Sequence, residues 1–346
     1  MRKTVVWTMS IALAVLGLAA CKSASVSKTD EILTYIPQTA QGVFVIDVHR
    51  AMINEAVDKM IKENKDYQKY QEFVKETGID PQKDIAAVGI GLISEKNAEG
   101  KMNAQPAVAI QMTYKKDVLL AKLKEKATGV KELPYNGVTL YGVTEKEGEK
   151  PMFGAFYDDG HIFFGTEDTI KAMIDTAQKK SGNVLKSEAL APLMKTSNKN
   201  AMLWAVLSIP AELSAEAEKN PMTADLKSIT AVQLFFDYAN KSLQFEIKGV
   251  GGDADKNKKL ADTLNGLKAL GGLAGGEKPE IGELLSKIEV SSAPDSVKIS
   301  ANIPEELMTK LGKTAQATVQ EKMAGAAEEK EKKEETKETK KEAVKK

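Results

Sequence analysis

Between residues 32 and 312 the apolar side chains change spacing repeatedly, from one in two to one in three or four. A spacing of two marks a strand with one buried face, and a spacing near 3.6 marks a helix stripe. Val43–Val48 reads as a short buried strand, after which Ile53, Ala56, Val57, Met60 and Ile61 fall on one helix face. A second helix over about 66–77 stops near Gly78, and Asp80-Pro81 turns the chain into a strand from Ile85 to Ile93. After a polar loop at 94–105, Ala107–Thr113 is its partner, and a helix follows over about 115–127. Val138–Val143 is a strand entered from the Asn136-Gly137 turn. Phe153–Tyr157 and His161–Phe164 flank Asp159-Gly160, a pair that favours a type I′ hairpin. Thr166 then caps a helix with Ile170, Met173, Ile174 and Ala177 inward.

The second half repeats this order. Met202–Ile209 is a buried strand and Pro210 begins a helix to about 219. Val232, Leu234, Phe236 and Tyr238 alternate up to a turn at Ala239-Asn240-Lys241. Leu243, Phe245 and Ile247 then alternate with Gln244, Glu246 and Lys248, a hairpin strand with one wet face. Leu260, Leu264, Leu267 and Leu270 line a helix predicted to end at Gly271-Gly272. A hairpin through Ala293-Pro294-Asp295 and a closing helix from Pro304 complete the half. The reading is an α+β fold: two similar halves of antiparallel sheet, with helices packed on one face, from a duplication of about 150 residues. The boundaries are a signal peptide at 1–20, a tether at 21–31, repeats at 32–185 and 186–323, and a charged tail at 324–346. From Glu328 the tail holds eight Lys and seven Glu, so it is expected to be disordered or a solvated helix.

The first 21 residues read MRKTVVWTMSIALAVLGLAAC. Arg2 and Lys3 precede an apolar stretch from Val5 to Ala20, too short for a membrane span of about 20 apolar residues. Leu18-Ala19-Ala20-Cys21 resembles the lipobox of bacterial lipoproteins, and Cys21 is the only cysteine in the chain. The resemblance implies cleavage before Cys21 by signal peptidase II, which recognises Leu18, Ala19 and Ala20. It also implies a diacylglyceryl thioether on Cys21, usually with an N-acyl chain. Lys22 is not the Asp that resembles an inner-membrane retention signal, so the implied place is the outer membrane facing the periplasm in a Gram-negative source. A ten-residue flexible tether spans about 17 Å, which keeps the body near the bilayer. Three stretches of the body, VFVIDVHRAM, GIDPQKDI and IFFGTEDTIKAM, resemble duplicated α+β exported bacterial proteins of unknown function. That resemblance implies no activity.

Composition excludes several function classes. Lys+Arg and Asp+Glu are both 49, and loss of residues 1–20 leaves the rest at about −2, unlike a nucleic-acid binder. One cysteine permits neither an internal disulfide nor a multi-cysteine zinc site. His49 and His161 have no His-x-x-x-His or Glu-x-x-His neighbour, so each is read as an ordinary, at least half-exposed residue at a strand end or hairpin. No Gly-x-Ser-x-Gly elbow marks a nucleophile. Gly89-Ile90-Gly91 lacks the third glycine of a dinucleotide site and reads as small residues in a packed strand. The glycines of 271–276 have no Gly-Lys-Ser/Thr behind them, and Asp158, Asp159, Glu167 and Asp168 read as turn and cap residues, not a calcium loop. No cofactor, metal or catalytic residue is expected. The expectation is a non-enzymatic, membrane-anchored binding or scaffold protein, whose partner is an envelope protein or a small molecule. A solute-binding lipoprotein and a carboxylate-dependent envelope hydrolase are the alternatives.

Overall fold

A continuous apolar run, Val43 to Ile46, makes β1 (Gly42–Asp47), and in the computed structural model this strand lies inside one antiparallel sheet. The structure describes residues 29–64, 66–96, 102–127, 129–144, 151–210, 224–274 and 279–314. The other strands of the first half are β2 (Ile85–Lys96), β3 (Met102–Met112), β4 (Lys131–Tyr135), β5 (Val138–Val143), β6 (Met152–Phe156) and β7 (His161–Gly165). The second half contributes β8 (Leu203–Ser208), β9 (Ile229–Ala239), β10 (Ser242–Gly251), β11 (Ile288–Ala293) and β12 (Ser296–Pro304). Their order across the sheet is β11-β12-β10-β9-β8-β1-β2-β3-β7-β6-β5-β4.

The two halves are wired alike. Each starts with a central strand, β1 or β8, and these pair with each other through Val43↔Val206 and Val45↔Trp204. Each continues with a hairpin, β2–β3 or β9–β10, and each ends with a strand that pairs back on that hairpin, β7 on β3 and β12 on β10. The β4–β5 hairpin is extra to the first half. The class is α+β, and the sheet is continuous through β8 and β1.

The helices are placed differently from the single-face expectation. In chain order they are α1 (Thr29–Ile32), α2 (Val48–Met52), α3 (Glu55–Glu63), α4 (Tyr67–Thr77), α5 (Pro81–Asp84), α6 (Lys116–Lys126), α7 (Glu167–Ala177), α8 (Ala191–Thr196), α9 (Ala254–Ala274), α10 (Pro279–Lys287) and α11 (305–314). Strand residues alternate between faces, and both faces of the first half are apolar. On one face Val43, Val45, Ala107, Ala109, Phe163 and Trp204 pack with Ile32 of α1, with Ile170, Met173 and Ile174 of α7, and with Met194 of α8. On the other, Ile46, Val88, Ile110 and Ile162 pack with Met52 of α2, Ile61 of α3, Phe73 of α4 and Leu119 of α6. Of the described helices, three pack on one face of the second half, with Leu260 of α9 on Val297, and Leu284 of α10 and Leu307 of α11 in the cluster of Ala301 and Ile303, while α8 reaches the other face at Gln233 of β9. That other face carries Gln244, Glu246, Lys248 and Lys298, the wet face read from the alternation.

Several local expectations change. Residues 29–31 fold: Thr29 is buried in α1, inside the stretch expected to be tether. Leu190 and Met194 sit in the first half's core, beyond its expected end at 185. The β4 strand was not legible, because Pro134 and the charges at 131 and 132 hide its period. α9 runs through Gly271-Gly272 to Ala274, and Leu267 and Leu270 are 47% and 63% exposed. Neither Asp159 nor Gly160 has positive φ, so their turn is not type I′, whereas Asn136 (φ 49°) and Gly137 (φ 83°) form one. The helix expected after Pro210 and the charged tail lie outside the described residues.

Candidate functional site

The densest polar cluster involving a sequence candidate is built around His161, at the start of β7. The loop before it is closed by Asp158, whose Oδ1 accepts from the Gly160 N–H at 2.8 Å. The same oxygen lies 2.8 Å from His161 Nδ1. A carboxylate only accepts, so Nδ1 carries the proton and donates to Asp158. The backbone N–H of Tyr157 donates to the His161 carbonyl at 3.0 Å, and the Tyr114 hydroxyl donates to the Asp158 carbonyl. Asp158 is therefore a turn residue, as read from the sequence, and also the residue that orients an imidazole.

The other side of the ring faces α1. Glu31 Oε1 lies 3.9 Å from His161 Nε2, a nitrogen that is buried without a hydrogen bond. Gln111 stands directly opposite His161 in the β3–β7 ladder, and its Nε2 donates to Glu31 Oε2 at 3.0 Å. The Tyr35 ring lies 4.7 Å from the imidazole and 5.4 Å from Phe163, while Tyr157 stacks on Phe163 at 4.8 Å. His161 is only 7% exposed. The half-exposed histidine expected after a hairpin is thus corrected: Tyr35, arriving from the turn after α1, covers it. Glu31, Tyr35 and Gln111 were missed because 80 or more residues separate Glu31 and Tyr35 from their partners on the sheet. A pairing of Gln111 with His161 could only have come from the β3–β7 register.

The electrostatics hold the phenols in the protonated state. Burial, aided by the negative charges of Asp158 and Glu31, pushes Tyr35 up to about 12. Burial beside Asp158 and Asp159 does the same to Tyr114, also to about 12. Such phenols neither accept protons nor attack as phenolates near neutral pH. The ring has a carboxylate on each side, and no serine, threonine or cysteine forms a hydrogen bond with it among the described residues. Chemically this arrangement is a clasp between α1 and the β6–β7 loop.

A second clasp joins the halves. Asp47 ends β1 and its side chain accepts from the Arg50 N–H at 2.9 Å, starting α2. Arg50 Nη2 then reaches Asp237 Oδ2 of β9 at 2.8 Å, with the two side chains only 22% and 12% exposed. His49, next to it, is exposed.

Leu18, Ala19, Ala20 and Cys21 lie outside the described residues. Gly89 and Gly91 stand where α1 and the following turn lie on β2, as small residues in a packed strand. Glu167 pairs with Lys171 at 2.6 Å, and Thr166 caps α7 by accepting from the Thr169 N–H. Among the described residues no three His, Cys, Asp or Glu side chains gather as a metal-ligand set. None of the described helices is long and apolar enough to cross a membrane.

No family model matches the chain, and no curated protein matches it. Among solved structures it is similar to TP0453, a Treponema protein. Crystal form III of that protein matches with a TM-score of 0.47 and 12% identity, over 83% of this chain and 97% of the other. Crystal form I gives a TM-score of 0.44 and 13% identity, over 82% and 96%.

Proposed function

We propose that the chain is a lipid-anchored protein of the bacterial cell envelope whose body binds or scaffolds without catalysis. The observation that carries this reading is Leu18-Ala19-Ala20-Cys21, placed directly after a basic and then apolar leader and containing the chain's only cysteine. Each buried methylene contributes about 0.8 kcal/mol, so one chain holds marginally and two or three hold firmly. With Lys22 after the cysteine, the anchor lies in the outer membrane on the periplasmic side in a Gram-negative source. Thr29, eight residues after Cys21, is buried in α1, which places folded protein close to the proposed lipid.

A binding or scaffold role is supported by the burial of His161, whose Nδ1 donates to Asp158 and whose ring packs under Tyr35, with no serine, threonine or cysteine bonded to it among the described residues. Closure of two lobes on a solute is not favoured, because the sheet runs unbroken from β8 into β1 and offers no hinge there.

Detergent phase partition tests the anchor. The natural protein is expected in the detergent phase and the Cys21→Ser variant in the aqueous phase. A Cys21→Ser variant that still partitions into detergent overturns the proposal.

A further inference from the structure

β11 closes one end of the sheet, pairing with β12 and with no other described strand. Ala293 and Ser296 flank a two-residue turn at Pro294-Asp295, so they form the hydrogen-bonded pair next to it. Pair types alternate along an antiparallel ladder. Glu289 and Ser291 therefore direct their backbone groups to β12, and Ile288, Val290 and Ser292 direct theirs outward. The outward Ile288 carbonyl accepts from Lys268 Nζ at 2.9 Å, as this register requires. The outward N–H and C=O of Val290 and Ser292 meet no further backbone partner among the described residues.

The opposite end of the sheet is treated differently. β4 carries Lys131, Glu132 and Pro134, and proline and charge are what keep an edge from pairing. β11 has no proline and one charged residue, Glu289. A groove of about 390 Å³ runs beside it, between residues 290–294 and the flank of α9 that carries Ala254, Lys258, Ala261, Asp262 and Asn265.

We propose that this edge pairs with a second copy of the chain, about a twofold axis through Ser291. Outward backbone groups call for a strand, and the flank of α9 is complementary to itself. Lys258 and Asp262 pair within their helix at 2.7 Å while 72% and 64% exposed. A twofold axis sets the second copy's α9 antiparallel beside the first, so Lys258 meets Asp262 of the second copy in both directions. Ala254 and Ala261 let the helices approach. In the ladder Val290 stands opposite Ser292 of the second copy, which forms four hydrogen bonds. Ser291 then faces Ser291 and Glu289 faces Ala293, so no like charges oppose each other. The contact is isologous and closes at two copies.

The test uses the full-length chain in detergent, with Ser291→Cys. Cβ atoms of a non-hydrogen-bonded antiparallel pair lie about 4.5–5.5 Å apart, close enough for a disulfide after small adjustment. Mild oxidation is expected to give a covalent dimer that the unaltered chain and Glu132→Cys on β4 do not give. Ser292→Pro removes an outward N–H and leaves the β12 ladder intact. It is expected to weaken self-association in sedimentation by about tenfold or more, with the circular dichroism spectrum unchanged. Ser291→Cys that cross-links no faster than Glu132→Cys overturns the proposal, as does an unaltered chain that sediments as a monomer throughout. Cross-linking of Ser291→Cys to a different envelope protein overturns the choice of occupant. If Ser292→Pro does not fold, the cross-link decides alone.

Discussion

Two single residues set how closely α1 and its following turn approach the sheet. A Cβ on Gly91 would sit 2.6 Å from Ile36 Cγ2, and one on Gly89 would sit 2.9 Å from Ile32 Cγ2. Overpacking of this kind costs about 1–3 kcal/mol. Gly91→Ala is therefore expected to lower unfolding stability in urea by that amount. Gly160→Ala, whose nearest contact would be 3.7 Å from Asp158 Oδ1, is expected to change it by less than about 0.5 kcal/mol. Equal losses would contradict the packing account. Tyr35 gives the pH counterpart. A phenol whose folded value is raised to about 12 contributes stability that is complete below its ordinary value of 10.0. That contribution is lost as pH rises from there through the folded value. Tyr35→Phe keeps the ring over His161 and removes the ionisable group. It is expected to lose less stability than the natural protein between pH 8 and pH 11. Matching alkaline losses in the two proteins would place the strain elsewhere.

Elements show where sequence patterns are readable. β1, β2, β7 and α7 were legible because each is buried by its own periodic residues, such as Ile170, Met173 and Ile174 at 0% exposure. β4 was not, since an edge strand with Pro134 has no buried face to leave a period. α9 misled in its second half, where Leu267 and Leu270 extend a leucine stripe past the apolar surface that covers it. α1 was read as tether because four residues are too few for any period, and its order comes from Ile32 packing on Gly89. The His161 clasp inherits that limit: its partners arrive from an element no pattern marks. Long-range ion pairs are invisible for the same reason, and Arg50–Asp237 is the clearest case. Removing one partner from a well-buried pair costs about 3–5 kcal/mol, and this pair, partly exposed, should fall near the lower end. Arg50→Ala is therefore expected to cost about 3 kcal/mol, and adding Asp237→Leu is expected to restore part of it. A strictly additive double-mutant cycle would mean that the pair is uncoupled.

At the scale of the whole molecule the described residues form a continuous antiparallel sheet, with helices on both faces of its first half and α9, α10 and α11 on one face of its second. Lys+Arg and Asp+Glu balance at 49 each, and none of the described helices is long and apolar enough to cross a membrane. On the proposed reading, attachment to a bilayer rests on lipid at Cys21. The most direct measurement is mass spectrometry of the N-terminal peptide from the membrane-extracted protein. The account predicts a chain that starts at Cys21 and carries a diacylglyceryl group and an N-acyl chain. A mature chain that retains residues 1–20, or one that begins with an unmodified Cys21, would contradict it.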